Sequence, residues 1–360
     1  MADAVHFFLG ANSGDGFQSL FHELERAGTY DLMILKGGPG SGKSTFLRAL
    51  GAAMEEAGER VEYLPCSGDP DSLDGVALPD MGCAAADGTP PHVLEPRYPA
   101  AVDRIVDLGR FYDLTAAKAA RDEIVALTEE GRAAALRARR CLKGARQAEL
   151  EALEPGRAGF DLARALRRMD GVIARELRRR SGGGPGRTQK RFLGGITCAG
   201  TVWRFDSVDA LCPRVYELAD RWELAGPLLE RLRAAAVEQG WDVTACPAPE
   251  EPERLEHLLI PGLGLAFVST RPGMEYGKKP FRRIRLDAMT SARERGRERF
   301  LRRMAGALRE EAAAALRDAK SAHDRLEAVY NPYVDFDGVR ALAAIETGRL
   351  LSWQGRTLSH

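Results

Sequence analysis

The stretch YDLMILKGGPGSGKSTFL, residues 30–47, decides how the rest of the chain is read. Residues 30–36 form a short apolar run closed by glycine, the pattern of a strand buried on both faces. A helical pattern opens at Lys43 and runs to about Ala57, where Gly58 stands in the position of a C-cap. Between the two, GGPGSGKS (37–44) satisfies the phosphate-loop spacing G-x-x-x-x-G-K-[ST]. Gly37, Gly40 and Gly42 let the backbone take conformations closed to other residues, so that successive N–H groups can face one cluster of phosphate oxygens. The start of the helix adds its partial positive charge there. In such a loop Lys43 reaches the β- and γ-phosphates and the Ser44 hydroxyl coordinates Mg²⁺. Gly38, Pro39, Ser41 and Thr45 complete the expected nucleotide-contacting segment.

A phosphate loop needs a further carboxylate on the metal side, at the end of a neighbouring apolar strand. VEYLPC (61–66) and MGCAAAD (81–87) read as such strands, and Asp87 closes the second, so Asp87 joins Ser44 as the expected Mg²⁺ ligand. His92, in the loop that follows, is a candidate for sensing the γ-phosphate or orienting water, against the plainer reading of a solvated loop histidine. The candidate catalytic set is therefore Lys43, Asp87 and His92. Asp69, Asp71 and Asp74 lie at the sheet edge where ligands bind in open α/β folds, but DPDSL (69–73) also suits a helix N-cap, and the structural role is the favoured one. Strands alternating with helices predict an α/β fold, a P-loop NTPase-like parallel sheet flanked by helices.

The chain states this plan twice. Phe8-Leu9-Gly10 returns as Phe192-Leu193-Gly194, and at an offset of 182 Leu47, Leu50, Gly58, Val61, Pro70, Leu73, Pro79 and Pro90 meet the same residue types without a gap. FDLARAL (160–166) meets FDGVRAL (336–342) at a slightly different offset. An ordered series of Gly and Pro punctuation with matching apolar runs points to two copies of one domain-sized unit. Under that register YELADRWELAGPLL (216–229) takes the place of ILKGGPGSGKSTFL (34–47). Gly42, Lys43, Ser44, Asp87 and His92 then meet Leu224, Ala225, Gly226, Ser269 and Met274, so the second copy has lost its phosphate and metal groups together. The expected order is a nucleotide-binding α/β half (1–112), a helical segment (113–180), a flexible linker (181–191), a degenerate α/β half (192–287) and a second helical segment (288–360).

Bulk properties narrow the function classes. Lys+Arg and Asp+Glu both total 52, so no global field recruits nucleic acid or an anionic membrane. The first thirty residues lack a basic start before an apolar run, and no stretch has the length to span a bilayer, which points to a cytoplasmic protein. Six cysteines without CxxC pairing read as buried free thiols. Arginines concentrate in the helical stretches, around 137–140, 167–168, 178–191 and 282–303; with no aromatic interleaving they read as solvated helix faces, and nucleic acid is a weakly supported partner.

FLGANSGDGF (8–17), LKGGPGSGKSTFL (35–47), DSLDGVALPD (71–80) and DGTPPHVLEP (87–96) together resemble a family of bacterial tandem P-loop ATPases, over nearly the whole chain. The resemblance implies ATP binding and hydrolysis, with no settled substrate or partner; Mg²⁺ is the metal the loop itself calls for, and an unidentified protein partner is expected. Family members often carry a phosphate loop in the second half too; this chain departs at Ala225 and Gly226. The expectation is a one-site Mg²⁺-dependent ATPase whose second half packs beside the first, with Arg271 or Arg221 as guesses for an arginine completing the site. A small-molecule kinase and a non-hydrolysing, nucleotide-gated module for protein or nucleic acid remain the alternatives.

Overall fold

A computed structural model describes residues 4–25, 29–181, 184–293 and 295–352. In chain order the first half contains β1 (Val5–His6), a hairpin of β2 (Gly10–Ser13) and β3 (Gly16–Ser19), β4 (Asp31–Lys36), α1 (Lys43–Glu56), β5 (Glu62–Pro65), β6 (Leu73–Leu78), β7 (Cys83–Asp87) and β8 (Asp103–Asp107). Helices α2 (Leu114–Ala117), α3 (Arg121–Ala158) and α4 (Leu162–Glu176) follow. The second half contains β9 (Thr188–Lys190), a hairpin of β10 (Gly194–Thr197) and β11 (Gly200–Trp203), α5 (Phe205–Leu211), β12 (Arg214–Ala219), α6 (Gly226–Glu238), β13 (Val243–Ala248), β14 (Glu251–Ile260), β15 (Leu265–Thr270) and β16 (Arg282–Arg285). Helices α7 (Gly296–Tyr330) and α8 (Phe336–Leu351) complete it.

The two halves are alike, each with a six-stranded, mostly parallel sheet flanked by helices. The first sheet runs β1-β5-β6-β7-β4-β8 and the second β9-β13-β14-β15-β12-β16. In each, the strand before the loop lies one in from the sheet edge and is parallel to both neighbours: β4 to β7 and β8, β12 to β15 and β16. The apolar run of β4 exists because both faces are covered. Leu32 and Ile34 enter a core shared with the second half, whereas Met33 and Leu35 pack under α1 with Phe46, Leu47 and Leu50.

Three sequence expectations change. The sheets are mixed, because β6 and β14, neither expected, run antiparallel to both neighbours. Polar Asp74-Gly75 interrupts the apolar pattern of β6, and β8 (DRIVD) is masked by its charges. The residues before Leu24 form the β2–β3 hairpin and a 3₁₀ turn, Phe21–Glu25. DPDSL caps no helix; it turns the chain from β5 into β6. Within the expected linker, 182 and 183 lie outside the described residues, and Thr188–Lys190 forms an edge strand paired with β13.

The halves meet about a local two-fold relation. Phe8 and Phe192 exchange backbone hydrogen bonds, each N–H donating to the other's carbonyl at 2.9 Å. A buried Arg191–Glu62 pair at 3.0 Å lies close by. The helical appendages are exchanged: α4, with Ala165, Met169 and Val172 on one stripe, packs in the second half's core beside Leu228 and Leu232. Conversely, α8 brings Val339, Ala343 and Leu350 onto α1 of the first half. Between them α3 and α7 run antiparallel, their alanines (Ala138, Ala145 and Ala152; Ala305, Ala312 and Ala315) allowing close approach. Arg137–Asp318 and Arg325–Glu130 cross that seam, so these basic residues are paired rather than only solvated. No described helix is long and apolar enough to cross a membrane. The six cysteines are free; Cys83, Cys198, Cys212 and Cys246 are buried, Cys66 and Cys141 half-buried.

Candidate phosphate-binding site

The loop between β4 and α1 is wound as its glycines permit, with φ +72° at Gly40 and +84° at Gly42, a region that side chains bearing Cβ rarely enter. Gly42 is the N-cap of α1 and supplies no side-chain cap, so the helix start keeps donors for an incoming acceptor. Lys43 folds back, its Nζ donating to the carbonyls of Gly37 at 2.8 Å and Gly38 at 2.9 Å, and it stands 3.6 Å from Asp87 Oδ2. Ser44 Oγ accepts the Leu73 N–H at 3.0 Å. The Pro39 carbonyl accepts the Tyr112 hydroxyl at 2.5 Å, Ser41 is buried, and Thr45 is exposed on α1.

One of the loop's donors already has an anionic partner. Gly40 N–H donates to Glu327 Oε1 at 3.1 Å, from the last turns of α7, 287 positions away. A Cβ on Gly40 would lie 3.0 Å from Asn331 Oδ1, so α7 and the turn after it close over the loop. His323 Nε2 sits 3.4 Å from Glu327 Oε1. A hydrogen bond to His323, opposed by burial and joined by Gly40 N–H and Lys43, holds the Glu327 carboxyl below its ordinary range. The group from the second half that touches this loop is therefore a carboxylate. Of the two arginines named as guesses, Arg271 pairs with Glu256 of its own half at 2.6 Å, and the backbone N–H of Arg221 donates to Asp287 at 2.9 Å.

Asp87 ends β7 beside β4, and its Oδ1 accepts from Thr89 N–H at 2.8 Å and Thr89 hydroxyl at 2.6 Å. His92 is 5% exposed, not solvated, with Phe21 against its ring at 4.6 Å between centroids. Its Nε2 lies 3.2 Å from Asp74 Oδ2. Burial pulls the imidazole down, but Asp74 and then Asp87 outweigh it and leave His92 raised above its usual value. The sequence missed this pairing by assigning Asp74 to a cap.

The corresponding loop of the second half has the same six residues but sits one position later than the aligned register implies. Arg214 faces Leu265 as Asp31 faces Cys83, so Tyr216 corresponds to Met33 and not to Ile34, and Asp220 stands where Gly37 stands. Asp220 is 2% exposed and turns its carboxylate onto the start of α6, accepting from Leu224 N–H at 2.6 Å and Ala225 N–H at 2.9 Å. Burial raises its pKa to about 6 despite those donors. Glu223, φ +53°, takes a left-handed position like that of Gly40, and Arg146 and Arg254 reach its carboxylate at 3.2 Å. Against the upward pull of burial, Arg271 holds Glu256 well below the usual range. The second loop has thus closed on side chains of its own chain.

Comparisons with protein families, with curated proteins and with solved structures return no match.

Proposed function

We propose that the first half binds a nucleoside triphosphate with Mg²⁺ in the 37–45 loop and hydrolyses it, and that the second half is a non-binding counterpart. The observation that carries this reading is the Glu327 carboxylate on the Gly40 N–H, an anion drawn to a glycine-wound helix start that has no cap of its own. ATP is the nucleotide that the sequence resemblance implies.

The residues fit a metal-bound polyphosphate. Ser44 Oγ accepts a single hydrogen bond, from Leu73, and keeps a lone pair; Asp87 Oδ2 faces Lys43 at 3.6 Å and is not among the oxygens bound to Thr89. Mg²⁺ bound there by Ser44 and Asp87 supplies positive charge to the phosphate oxygens. Lys43 leaves the Gly37 and Gly38 carbonyls and pairs with phosphate, while the loop N–H groups hold the polyphosphate in place. Glu327 must yield the Gly40 N–H. In the second half Gly226 and Ser269 stand in the places of Lys43 and Asp87, and the Asp220 carboxylate takes the helix-start donors that a phosphate would need.

The test is calorimetry with Mg-ATP and phosphate-release kinetics on wild type and Lys43→Ala. Loss of the lysine should cost about 3 kcal/mol of transition-state stabilisation, roughly a hundredfold in turnover. Unchanged turnover in the folded variant rejects the assignment.

A further inference from the structure

We propose that Asp74, Asp87 and His92 form a binding site for a divalent first-row transition ion of the Mn²⁺ type. Asp87 is shared with the Mg²⁺·nucleotide reading above, but Asp74 and His92 are not, and the site stands without nucleotide.

The argument begins with strand register. Gly75 faces Ala86 across β6 and β7, which sets Asp74 directly opposite Asp87. Like charges at facing positions of an antiparallel pair repel, and these two are buried, at 6% and 8% exposure. Ligand atoms of Asp74, Asp87 and His92 all lie within 4.8 Å of one another. Bonds of about 2.0–2.2 Å to one ion allow ligand atoms up to roughly 4.4 Å apart, so small side-chain rotations close the set. Asp74 Oδ2, deep in this cluster, accepts no well-formed hydrogen bond: its neighbour is His92 Nε2 at 3.2 Å, an atom of the same ligand set, and His92 Nδ1 is buried without a partner. Two facing carboxylates sharing one imidazole at such depth are costly unless a cation meets them.

The second half provides an internal control. Glu256 occupies the place of Asp74 and Ser269 the place of Asp87, so one acid of the facing pair is gone. The remaining acid is met by guanidinium groups, Arg271 at 2.6 Å and Arg254 at 3.4 Å. Where both acids and a histidine are kept, the ion-pair partners of Asp74 and Asp87 among the described residues are His92 and Lys43, and Lys43 gives its hydrogen bonds to Gly37 and Gly38. The second half sets arginines, and His257 at 3.6 Å, around a single acid; the first sets two carboxylates and one imidazole together. Imidazole beside two carboxylates favours Mn²⁺ and its neighbours over Mg²⁺ or Ca²⁺, which prefer all-oxygen shells.

The experiment is a titration of chelator-stripped, full-length protein with MnCl₂ and no nucleotide, free Mn²⁺ being followed by its paramagnetic resonance. One bound equivalent is expected, with nitrogen modulation from an imidazole in the pulsed spectrum. Asp74→Asn and His92→Gln should weaken binding by about tenfold or more, and His92→Gln should remove the nitrogen signature even if Asp74→Asn fails to fold. Lys43→Ala should retain Mn²⁺ while losing nucleotide, so the two readings fail separately. Wild-type protein that binds no stoichiometric Mn²⁺, or a His92→Gln variant that binds as wild type does, overturns the proposal. Mn²⁺ taken up only with nucleotide and indifferent to His92 also overturns it, leaving the metal to Ser44 and Asp87.

Discussion

Replacing Glu327 by Gln should tighten nucleotide binding, although the residue belongs to the half without a phosphate loop. The wild-type carboxylate holds the Gly40 N–H at 3.1 Å, and on the proposed reading a triphosphate needs that donor. A hydrogen bond to an ionised acceptor contributes about 1.5–3 kcal/mol and one to a neutral acceptor about 1, so the amide releases the donor about 1 kcal/mol more cheaply. The glutamate also repels an incoming polyphosphate. With 42% of its side chain exposed, solvent screens that repulsion, and we assign it no more than about 0.5 kcal/mol. Together these terms give roughly 1.5 kcal/mol, or about a tenfold lower Kd. Calorimetry with a non-hydrolysable Mg-nucleotide, on wild type and Glu327→Gln at one salt concentration, reads the difference directly. Higher salt should shrink only the repulsive part. An unchanged Kd would refute the competition between Glu327 and phosphate, and a weaker one would make Glu327 a contact of the bound state instead.

Other perturbations test the scaffold. Asp220, raised from 3.8 to about 6, favours the fold fully below pH 4 and loses that contribution as pH rises through 6, about 3 kcal/mol across the window. Asp220→Asn should therefore flatten stability against pH between 4 and 6 in urea titrations; an unaltered slope rejects a buried, titrating carboxyl. Arg104 ties Asp31 on β4 to Glu346 on α8 at 3.0 and 2.6 Å, and Arg104→Met should cost about 2 kcal/mol and speed proteolysis of α8. At the centre, Arg191→Met leaves Glu62 buried without its partner and should cost about 3–5 kcal/mol, much of it recovered by adding Glu62→Gln. Equal denaturation midpoints for the single and double variants would remove that pair from the account.

What could be read from the sequence was what is local. The β4 strand, the glycine loop and α1 announce themselves within eighteen residues, and the Lys43–Glu56 helix begins where the spacing placed it. Asp74 hid because a charged residue and glycine broke the period of β6, and the pleat that sets it across from Asp87 is invisible without the partner strand. The single-residue shift at β12 hid for a related reason. Apolar residues on both faces of a buried strand leave its register free to slide by one, and only the pairing of Arg214 with Leu265 fixes it. No local signal could have found Glu327, because the exchange of α4 and α8 depends on which of two similar sheets each apolar stripe meets.

That exchange gives α7 a position held by no other described helix. Near its end Glu327 meets the loop of the first half; nearer its start Arg302 donates to the Arg221 carbonyl at 3.0 Å and lies over Trp222 in the loop of the second. The two contacts are 25 positions apart, roughly 37 Å along a continuous helix. The side chain that, on the proposed reading, must move when phosphate arrives is thus carried by the same helix that touches the closed loop. The second loop is suited to be such a fixed seat, because Asp220 caps its helix and arginines neutralise Glu223, so no ligand is needed to hold it. On the proposed reading, the half without a phosphate site anchors the helix that contacts the glycine loop of the other, which would tie the retention of its scaffold to the absence of its own site.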